Sequence, residues 1–343
     1  MKRIWLYSMR LYLRLGLFFY FKKVEVRNAE NIPKNEAVMF LGNHQNALLD
    51  ALLIATKNGR FSYFLTRAAV FNKPIVSKVL QSLQMLPVYR IRDGWGNLNK
   101  NNVVFSKSAE LLHKNEAIVI FPEGSHNLKR TVRPLSKGFT RIIFETIENY
   151  PETTINLIPV GLNFQNATKF GDTALINFGH VIPVTKSIIE DKNKSVIQLK
   201  ASVFDSLTKL TTHIDTENYD LVHEKLKDLN VDFTKPEQVN TCIENNFNNC
   251  ETYKSGKNKH IKRLLKCLLI INLFVPYLIW KTIAEPKIKE IEFTSTFRFA
   301  IAITLVPFFM LIVMLFFGLV FQIKFAFIYL LNVLLLALLS IKL

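Results

Sequence analysis

The sequence predicts an α/β domain joined to a membrane-embedded C-terminal region. Short apolar runs alternate with helical patterns between residues 24 and 235, which is the βα rhythm of an α/β domain. Residues 264–343 are instead overwhelmingly apolar. Hydrophobic residues make up 49% of the 343 residues and the mean hydropathy is +0.17. These values are high for a purely soluble protein and favour segments that lie in lipid.

Residues 1–23 are predicted to form an amphipathic helix in the bilayer interface. Arg10 and Arg14 interrupt the apolar run of this segment. No small-residue cleavage site follows an apolar core, so a signal peptide is not predicted. The alternative is a helix packed on the protein's own core. Four aromatic residues are expected near the lipid headgroups: Trp5, Tyr7, Tyr12 and Tyr20.

Residues 24–235 are predicted to form the α/β domain. The sites of such domains lie at the carboxyl ends of strands. The helical stretch that starts near residue 47 follows the first predicted strand, and residues 195–210 show a structural helical pattern. The predicted strands are 37–42, 62–66, 85–90, 117–124, 155–164 and 174–184.

The remaining chain is predicted to be a polar linker, residues 236–263, followed by a transmembrane region, residues 264–343. Two apolar segments at about 298–321 and 324–341 are expected to cross the membrane as a helical hairpin. An earlier segment at about 264–281 is shorter and contains Pro276, which favours a re-entrant or interfacial course.

The net charge and the cysteine content indicate which binding partners and which cellular compartment to expect. There are 44 Lys and Arg residues against 27 Asp and Glu residues, a formal charge of +17 that fits anionic lipid or a phosphorylated substrate. No nucleic-acid-binding motif appears, so a nucleic-acid partner is not predicted. Three cysteines without CxxC spacing predict neither a disulfide nor a zinc site. The basic flank at 257–266 predicts a catalytic domain on the cytoplasmic face of the membrane.

The stretch NHQNALLD, residues 43–50, carries the candidate chemistry. His44 follows a predicted strand end, and Asp50 stands six positions later in the following helix. A histidine held in one tautomer by a carboxylate leaves its other nitrogen free to accept a proton. A His–Asp pair at this spacing also occurs by chance, so the pair alone is a weak signal.

Two further stretches supply groups that suit an anionic substrate. In IVIFPEGSHN, residues 118–127, Gly124 is expected to make the turn and Ser125 to cap a helix. Arg130 and Arg133 lie beyond it, where they are candidates for binding an anionic headgroup. In LPVYRIRDG, Arg90 and Arg92 are expected on one face of a strand, where they are candidates for clamping a phosphate. A plain turn and a solvated edge strand are the respective alternatives.

In this order, the blocks NHQNALLD, LQMLPVYR, FPEGSHN and LIPVGLNF resemble the glycerolipid acyltransferase family, which includes lysophosphatidate and glycerol-3-phosphate acyltransferases. The resemblance covers about residues 25–185. It implies a mixed-sheet acyltransferase domain that moves an acyl group from acyl-CoA or acyl carrier protein to a hydroxyl of a glycerol-phosphate lipid precursor. The expected acceptor is lysophosphatidate, and no metal or other cofactor is expected.

The resemblance also implies roles for individual residues. His44 is expected to act as the general base and Asp50 to orient it. Arg90 and Glu123 are expected to hold the glycerol phosphate, and backbone N–H groups near Gly124 to stabilise the oxyanion. The remaining expected substrate-binding residues are Ser125, Lys137 and Gly138.

Two departures from the family pattern leave the acceptor open. Five residues separate His44 from Asp50, where the family usually has four. Ser125 and His126 stand where the family has threonine and arginine. Both features resemble a branch that includes fungal glycerol-3-phosphate and dihydroxyacetone-phosphate acyltransferases, so these acceptors are the alternative. A non-catalytic membrane scaffold is the second alternative, and the intact His44, Asp50 and Glu123 argue against it.

Overall fold

A mixed sheet of eight strands forms the centre of the computed structural model, which describes residues 1–90, 99–189, 191–253 and 258–343. The strands are β1 Lys23–Arg27, β2 Ala37–Gly42, β3 Ser62–Arg67, β4 Met85–Val88, β5 Ala117–Ile120, β6 Ile155–Phe164, β7 Thr173–Phe178 and β8 Ile182–Val184. Their order across the sheet is β1-β7-β6-β2-β5-β3-β4, and β8 pairs with β6.

Helices surround the sheet and form most of the C-terminal region. They are α1 Lys2–Tyr20, α2 Ala47–Lys57, α3 Pro74–Ser82, α4 Asn101–His113, α5 Gly138–Asn149, α6 Lys192–Leu210, α7 Tyr219–Asp228, α8 Pro236–Glu244, α9 Lys259–Asn272, α10 Phe274–Leu278, α11 Thr294–Ile303, α12 Leu305–Val320 and α13 Ile323–Lys342.

The predicted α/β class is confirmed, and two predicted strands match their bounds, 37–42 and 155–164. The predicted strand 174–184 is instead two strands, β7 and β8, which are interrupted at residues 179–181 and both pair antiparallel with β6. β4 ends at Val88, so Arg90 follows the strand and does not lie on its face. Arg92 lies outside the described residues. Strand β1 was not predicted, because its sequence KVEVR is short and only half apolar.

The alternation of side chains along β2 divides the core into two layers. Val38 and Phe40 face a cluster that also contains residues of α1, α2 and α11. Met39 and Leu41 face the opposite side, where α4, α5 and α6 cover the sheet. All six residues of β2 are buried because apolar helices cover both faces of the strand.

Parallel pairing brings several loops to one edge of the sheet. β2 is parallel to both β5 and β6, and β3 is parallel to β4 and β5. Leu41 pairs with Ile120 in register, so β2 and β5 end side by side. The segments that follow these strands therefore meet at the carboxyl edge of the sheet, where sites of α/β domains form.

Helix α1 packs on the protein by one face and exposes an apolar face on the other side. Tyr20, predicted near the headgroups, is instead 1% exposed and contacts the ring of Phe299 at 5.3 Å. The prediction was wrong for this residue because the last turn of α1 leads directly into β1 and points into the core. The opposite face exposes Ile4, Leu11, Leu15 and Phe18.

The C-terminal region contains two helical segments long and apolar enough to cross a membrane, by length and composition. They are Ile291–Val320, in which an 18-residue window has a mean hydropathy of 2.8, and Ile323–Lys342, in which the corresponding window has a mean hydropathy of 2.2. α12 and α13 pack against each other as the predicted hairpin. The earlier apolar segment is bent by 100° between Asn272 and Phe274, which fits its predicted re-entrant or interfacial course.

The structure differs from the predicted linker at 236–263. Helix α8 lies inside this range and packs with α7 in a small apolar cluster that includes Phe233, Val239 and Cys242. Cys242 and Cys250 form a disulfide, with their Cα atoms 5.1 Å apart, although the sequence predicted none. The segment 236–263 has a low average hydrophobicity, so the few apolar residues at helical spacing that build this cluster were not recognised in the sequence.

Candidate active site

His44 and Asp50 form a buried pair at the carboxyl edge of the sheet. Nδ1 of His44 lies 2.8 Å from Oδ2 of Asp50. The Asp50 side chain is fully buried and that of His44 is 13% exposed. The carboxylate fixes the proton on Nδ1, so that Nε2 of His44 is left as the acceptor. Among the described residues, no group hydrogen-bonds to this Nε2.

The turn between β2 and α2 accommodates the five residues that separate this pair. Ala47 has a φ of +42°, in the left-handed region, where the chain turns into α2. The backbone N–H of Asn46 donates to Asp50 Oδ2 at 2.7 Å and fixes the carboxylate. Asn43 holds the end of β2 by exchanging two hydrogen bonds with the backbone of Leu162 in β6. The expected reach from Asp50 to His44 is therefore present despite the longer spacing.

The segment FPEGSHN, which follows β5, packs against His44. The ring of Phe121 stacks on the imidazole with their centroids 4.1 Å apart. The backbone N–H of Asn127 donates to the carbonyl oxygen of His44 at 3.0 Å. These contacts immobilise the imidazole between two loops, so the sequence motifs that are 70 residues or more apart form one site.

Glu123 is buried and paired with Arg133. Nε of Arg133 donates to Oε2 of Glu123 at 2.7 Å, and its NH1 donates to Oγ of Ser125 at 2.7 Å. Burial raises the pKa of Glu123 to about 7, while Arg133 opposes this shift. Arg133 therefore holds Glu123 and Ser125 together, and Ser125 does not cap a helix as predicted.

Gly124 forms the predicted turn, with a φ of +73°, but its backbone N–H is engaged. It donates to the carbonyl oxygen of Phe121 at 3.1 Å, so this N–H does not serve the predicted oxyanion role. Within the described residues, no hydrogen bond is found for the backbone N–H groups of Ser125 and His126. These two amides are the remaining donors of the turn.

Lys137 and Gly138 stand at the start of α5, beside this turn. The N–H of Ser136 donates to the carbonyl oxygen of Pro122 at 2.7 Å and fixes the approach of the chain to the helix. Lys137 is exposed and precedes Gly138, the first residue of α5. Lys137 and Gly138 therefore lie beside the turn, and among the described contacts neither residue forms a hydrogen bond with His44.

Arg90 and His126 extend the site toward the C-terminal region. Burial, together with the charges of His44 and Arg90, lowers the pKa of His126, and Glu290 and Glu292 oppose the shift. The imidazoles of His44 and His126 meet edge to face with their centroids 5.7 Å apart.

The segment that leads into α11 caps this site, which the sequence did not indicate. Oε2 of Glu290 lies 3.6 Å from Nε2 of His126, and the ring of Phe293 contacts His126 at 4.6 Å. The backbone N–H of Leu48 donates to Oγ1 of Thr296 at 3.3 Å. Only the tertiary fold brings these residues to the turn, since no motif links them to it in the sequence.

Arg130 does not face this site, although it was a candidate for binding a headgroup. It is 8% exposed, its guanidinium stacks on Phe233 at 3.6 Å, and it donates to the carbonyl oxygen of Gln165 at 3.1 Å. Burial lowers its pKa to about 10. Its contacts join the sheet to the helices α7 and α8.

Known proteins resemble this chain over the segment that carries the site. The acyltransferase family profile matches residues 23–163. The chain is 27% identical to a 1-acyl-sn-glycerol-3-phosphate acyltransferase of Borreliella burgdorferi over 138 residues, which are 40% of this chain and 53% of that protein. It is 28% identical to glycerol-3-phosphate O-acyltransferase 1 of Saccharomyces cerevisiae over 86 residues, which are 25% of this chain and 11% of that protein.

A solved structure is also similar in part. The crystal structure of the 1-acyl-sn-glycerophosphate acyltransferase of Thermotoga maritima aligns with 63% of this chain and 83% of its own, at 17% identity and a TM-score of 0.46. The chain spans from about a tenth to about half of the length of the curated relatives that it matches. The His44–Asp50 pair and the FPEGSHN turn both lie within residues 23–163, the segment that is similar to the acyltransferase family.

Proposed function

We propose that this protein transfers an acyl group from an acyl thioester to the free hydroxyl of lysophosphatidate and so forms phosphatidate. The observation that carries the proposal is the His44–Asp50 pair, with 2.8 Å between Nδ1 and the fully buried carboxylate. A base of this kind activates a substrate hydroxyl directly and needs no nucleophile from the protein.

In the proposed reaction, Nε2 of His44 takes the proton of the acceptor hydroxyl while its oxygen attacks the thioester carbonyl carbon. Asp50 stabilises the imidazolium that forms. The backbone N–H groups of Ser125 and His126 stabilise the oxyanion, each by about 3–4 kcal/mol. The tetrahedral intermediate then expels the thiolate, which takes the proton from His44 and leaves as the free thiol of coenzyme A or acyl carrier protein.

A lipid acceptor is favoured by the position of the site. Phe293 contacts His126, and the segment Ile291–Val320 that contains Phe293 is long enough to cross a membrane. The catalytic pair therefore lies beside the entry of a membrane helix. An acceptor that is anchored in the bilayer by its acyl chain reaches this position without crossing water. Arg90, whose charge contributes to the lowered pKa of His126, is the proposed partner of the acceptor phosphate.

Glycerol-3-phosphate is the second candidate acceptor, and one observation favours it. The chain is 28% identical to the yeast glycerol-3-phosphate O-acyltransferase 1 over 86 residues. A water-soluble acceptor needs no apolar surface beside the catalytic pair. Because Phe293 supplies such a surface through its contact with His126, we place glycerol-3-phosphate second.

We also propose that the catalytic domain faces the cytoplasm, on the basis of the lysines and arginines in residues 257–266. Nζ of Lys342 donates to the carbonyl oxygen of Phe21 at 2.8 Å, so the end of α13 lies on the same side as the catalytic domain. A reporter fused after Leu343 is therefore expected to be active only in the cytoplasm, and a reporter active on the opposite side contradicts this orientation.

The test of the reaction uses purified protein in detergent with radiolabelled acyl-CoA or acyl carrier protein. The acceptors are lysophosphatidate, glycerol-3-phosphate and a neutral lysolipid, and His44→Ala is the control. A His44-dependent product from lysophosphatidate supports the proposal. A product from glycerol-3-phosphate alone supports the second candidate, and no product from any acceptor overturns both.

A further inference from the structure

A large apolar cavity lies between the N-terminal helix and the C-terminal helices. Its volume is about 970 Å³, and its walls come from α1, the loop after β6 and the helices between α9 and α13. Every lining residue lies outside the segment 23–163 that matches the acyltransferase family. The cavity is therefore a feature of the parts that this chain adds to that domain.

Four basic side chains line the same cavity: Lys169, Lys266, Lys281 and Arg298. The positive charges of Lys169, Lys281 and Arg298 all act on Lys266. Because all four side chains also line one cavity, we treat them as one basic cluster. Lys281 pairs with Glu285 at 2.6 Å. Within the described residues, no carboxylate pairs with Lys169, Lys266 or Arg298, so the cluster keeps an excess of positive charge.

Arg298 is held in place by several contacts, one of which is a hydrogen bond with the side chain of Tyr20, and its contacts with the described residues leave some of its N–H donors available. NH1 donates to the carbonyl oxygen of Thr168 at 2.8 Å, and the guanidinium lies over the ring of Trp280 at 4.9 Å. A guanidinium has five N–H donors, and it binds phosphate oxygens through pairs of them. Trp280 is 6% exposed and lines the cavity, so the apolar walls begin directly beside the cations.

We propose that this cavity binds a glycerolipid with a phosphate monoester headgroup, of the phosphatidate class. Its phosphate lies against the cluster of Lys169, Lys266 and Arg298, and its acyl chains lie along the apolar walls. Free phosphate leaves those walls unused, and a zwitterionic or neutral lipid leaves the excess positive charge uncompensated. An anionic amphiphile satisfies both parts of the cavity.

The site adjoins the catalytic turn but does not depend on the proposed reaction. Oγ of Ser295 and Nδ2 of Asn46 both donate to the carbonyl oxygen of Ala167, at 2.6 Å and 2.9 Å. The loop after β6 thus separates the cavity from the segment that carries His44. A protein without acyl-transfer activity is still expected to bind the lipid here, so binding is measured without an acyl donor and in His44→Ala.

The test uses Trp280 as a reporter, since the chain has three tryptophans. The variant Trp5→Phe/Trp95→Phe leaves Trp280 alone. It is reconstituted in phosphatidylcholine vesicles that contain increasing fractions of a lipid with brominated acyl chains. The brominated lipid is phosphatidate in one series and phosphatidylcholine in the other, and its bromine atoms quench tryptophan fluorescence on contact. We expect half-maximal quenching by brominated phosphatidate at a mole fraction about fivefold lower, or lower still, than that needed with brominated phosphatidylcholine. The reason is that each basic residue near a headgroup contributes about 1 kcal/mol.

The pair Lys169→Gln/Lys266→Gln in the reporter background is expected to remove most of this preference. Lys194→Gln/Lys209→Gln, on the exposed face of α6, is the matched control and keeps it. Equal quenching of the reporter protein by both brominated lipids overturns the proposal, and this comparison is made without any lysine substitution. A preference that persists in Lys169→Gln/Lys266→Gln also overturns it, because the cluster is then not the origin.

Discussion

Arg133 donates from Nε to Oε2 of Glu123 at 2.7 Å, and the carboxylate side chain is only 3% exposed while the guanidinium is 24% exposed. This pair holds the turn that packs against His44. Burial raises the pKa of Glu123 from 4.5 to about 7, so ionisation of this group lowers the stability of the folded protein as the pH rises from 4.5 through 7.

Arg133→Gln is expected to destabilise the protein more at pH 8.5 than at pH 6. Without the cation the folded pKa of Glu123 rises further, and each additional unit costs about 1.4 kcal/mol at a pH above it. We expect a difference of about 2 kcal/mol between the two pH values. Thermal unfolding in detergent measures it. Arg141→Gln, an exposed arginine of α5, is the control, and an equal effect at both pH values contradicts the prediction.

Replacement of either member of the His44–Asp50 pair is expected to abolish most acyl transfer. His44→Ala removes the proton acceptor, and Asp50→Asn removes the charge that stabilises the imidazolium, so each is expected to lower kcat by about 10²–10⁴-fold. Initial rates with radiolabelled acyl thioester measure the loss. His113→Ala removes a histidine at the end of α4 that pairs with Glu152, and it is expected to leave the rate unchanged.

Phe293→Ala is expected to weaken use of a lysolipid acceptor. The ring contacts His126 at 4.6 Å, and its loss opens the site on the membrane side. A loss of about 1.4 kcal/mol in binding corresponds to a tenfold rise in the KM for lysophosphatidate. Phe308→Ala, a 61% exposed residue of α12, is the control. If both variants have the wild-type KM, Phe293 does not form part of the acceptor site.

Gly161→Ala is expected to destabilise the acyltransferase domain. A Cβ at position 161 meets the backbone oxygen of Leu210 at 2.3 Å and its Cβ at 2.7 Å, so β6 and the end of α6 must move apart. Overpacking of this kind costs about 1–3 kcal/mol. In Gly318→Ala the nearest atom is 3.7 Å away, so this control should unfold at the wild-type temperature. Equal unfolding temperatures for the two variants contradict the close approach.

The sequence predicted the elements with strong local patterns. β2 is an uninterrupted apolar run and β6 is mostly apolar, and the block NHQNALLD placed His44 directly after a strand end. Strand β1 escaped prediction because its burial comes from pairing with β7, which lies 150 residues away in the chain. The cap over the site has no local signal either, since Glu290 meets His126 only through the packing of α11 on α2.

Three errors arose because the predictions relied on composition, spacing motifs or charge and not on which side chains pack together. The segment around α8 is polar on average, yet Val239 and Cys242 occupy one face of a helix and pack with Phe233. Cys242 and Cys250 lack a familiar spacing motif, and their pairing depends on the turn that follows α8. Arg130 was expected to meet the headgroup on charge alone, but stacking on Phe233 buries it.

The hydrogen bond from Leu48 to Thr296 joins positions that are 248 residues apart in the chain. Contacts of such high sequence separation carry the largest loop-closure entropy and form late in folding. During synthesis, the ribosome completes the sheet and the His44 turn long before residue 296 is made. A nascent chain thus contains the His44–Asp50 pair before it contains the residues of the cap, so the cap can join the site only after the segment around residue 296 has been made.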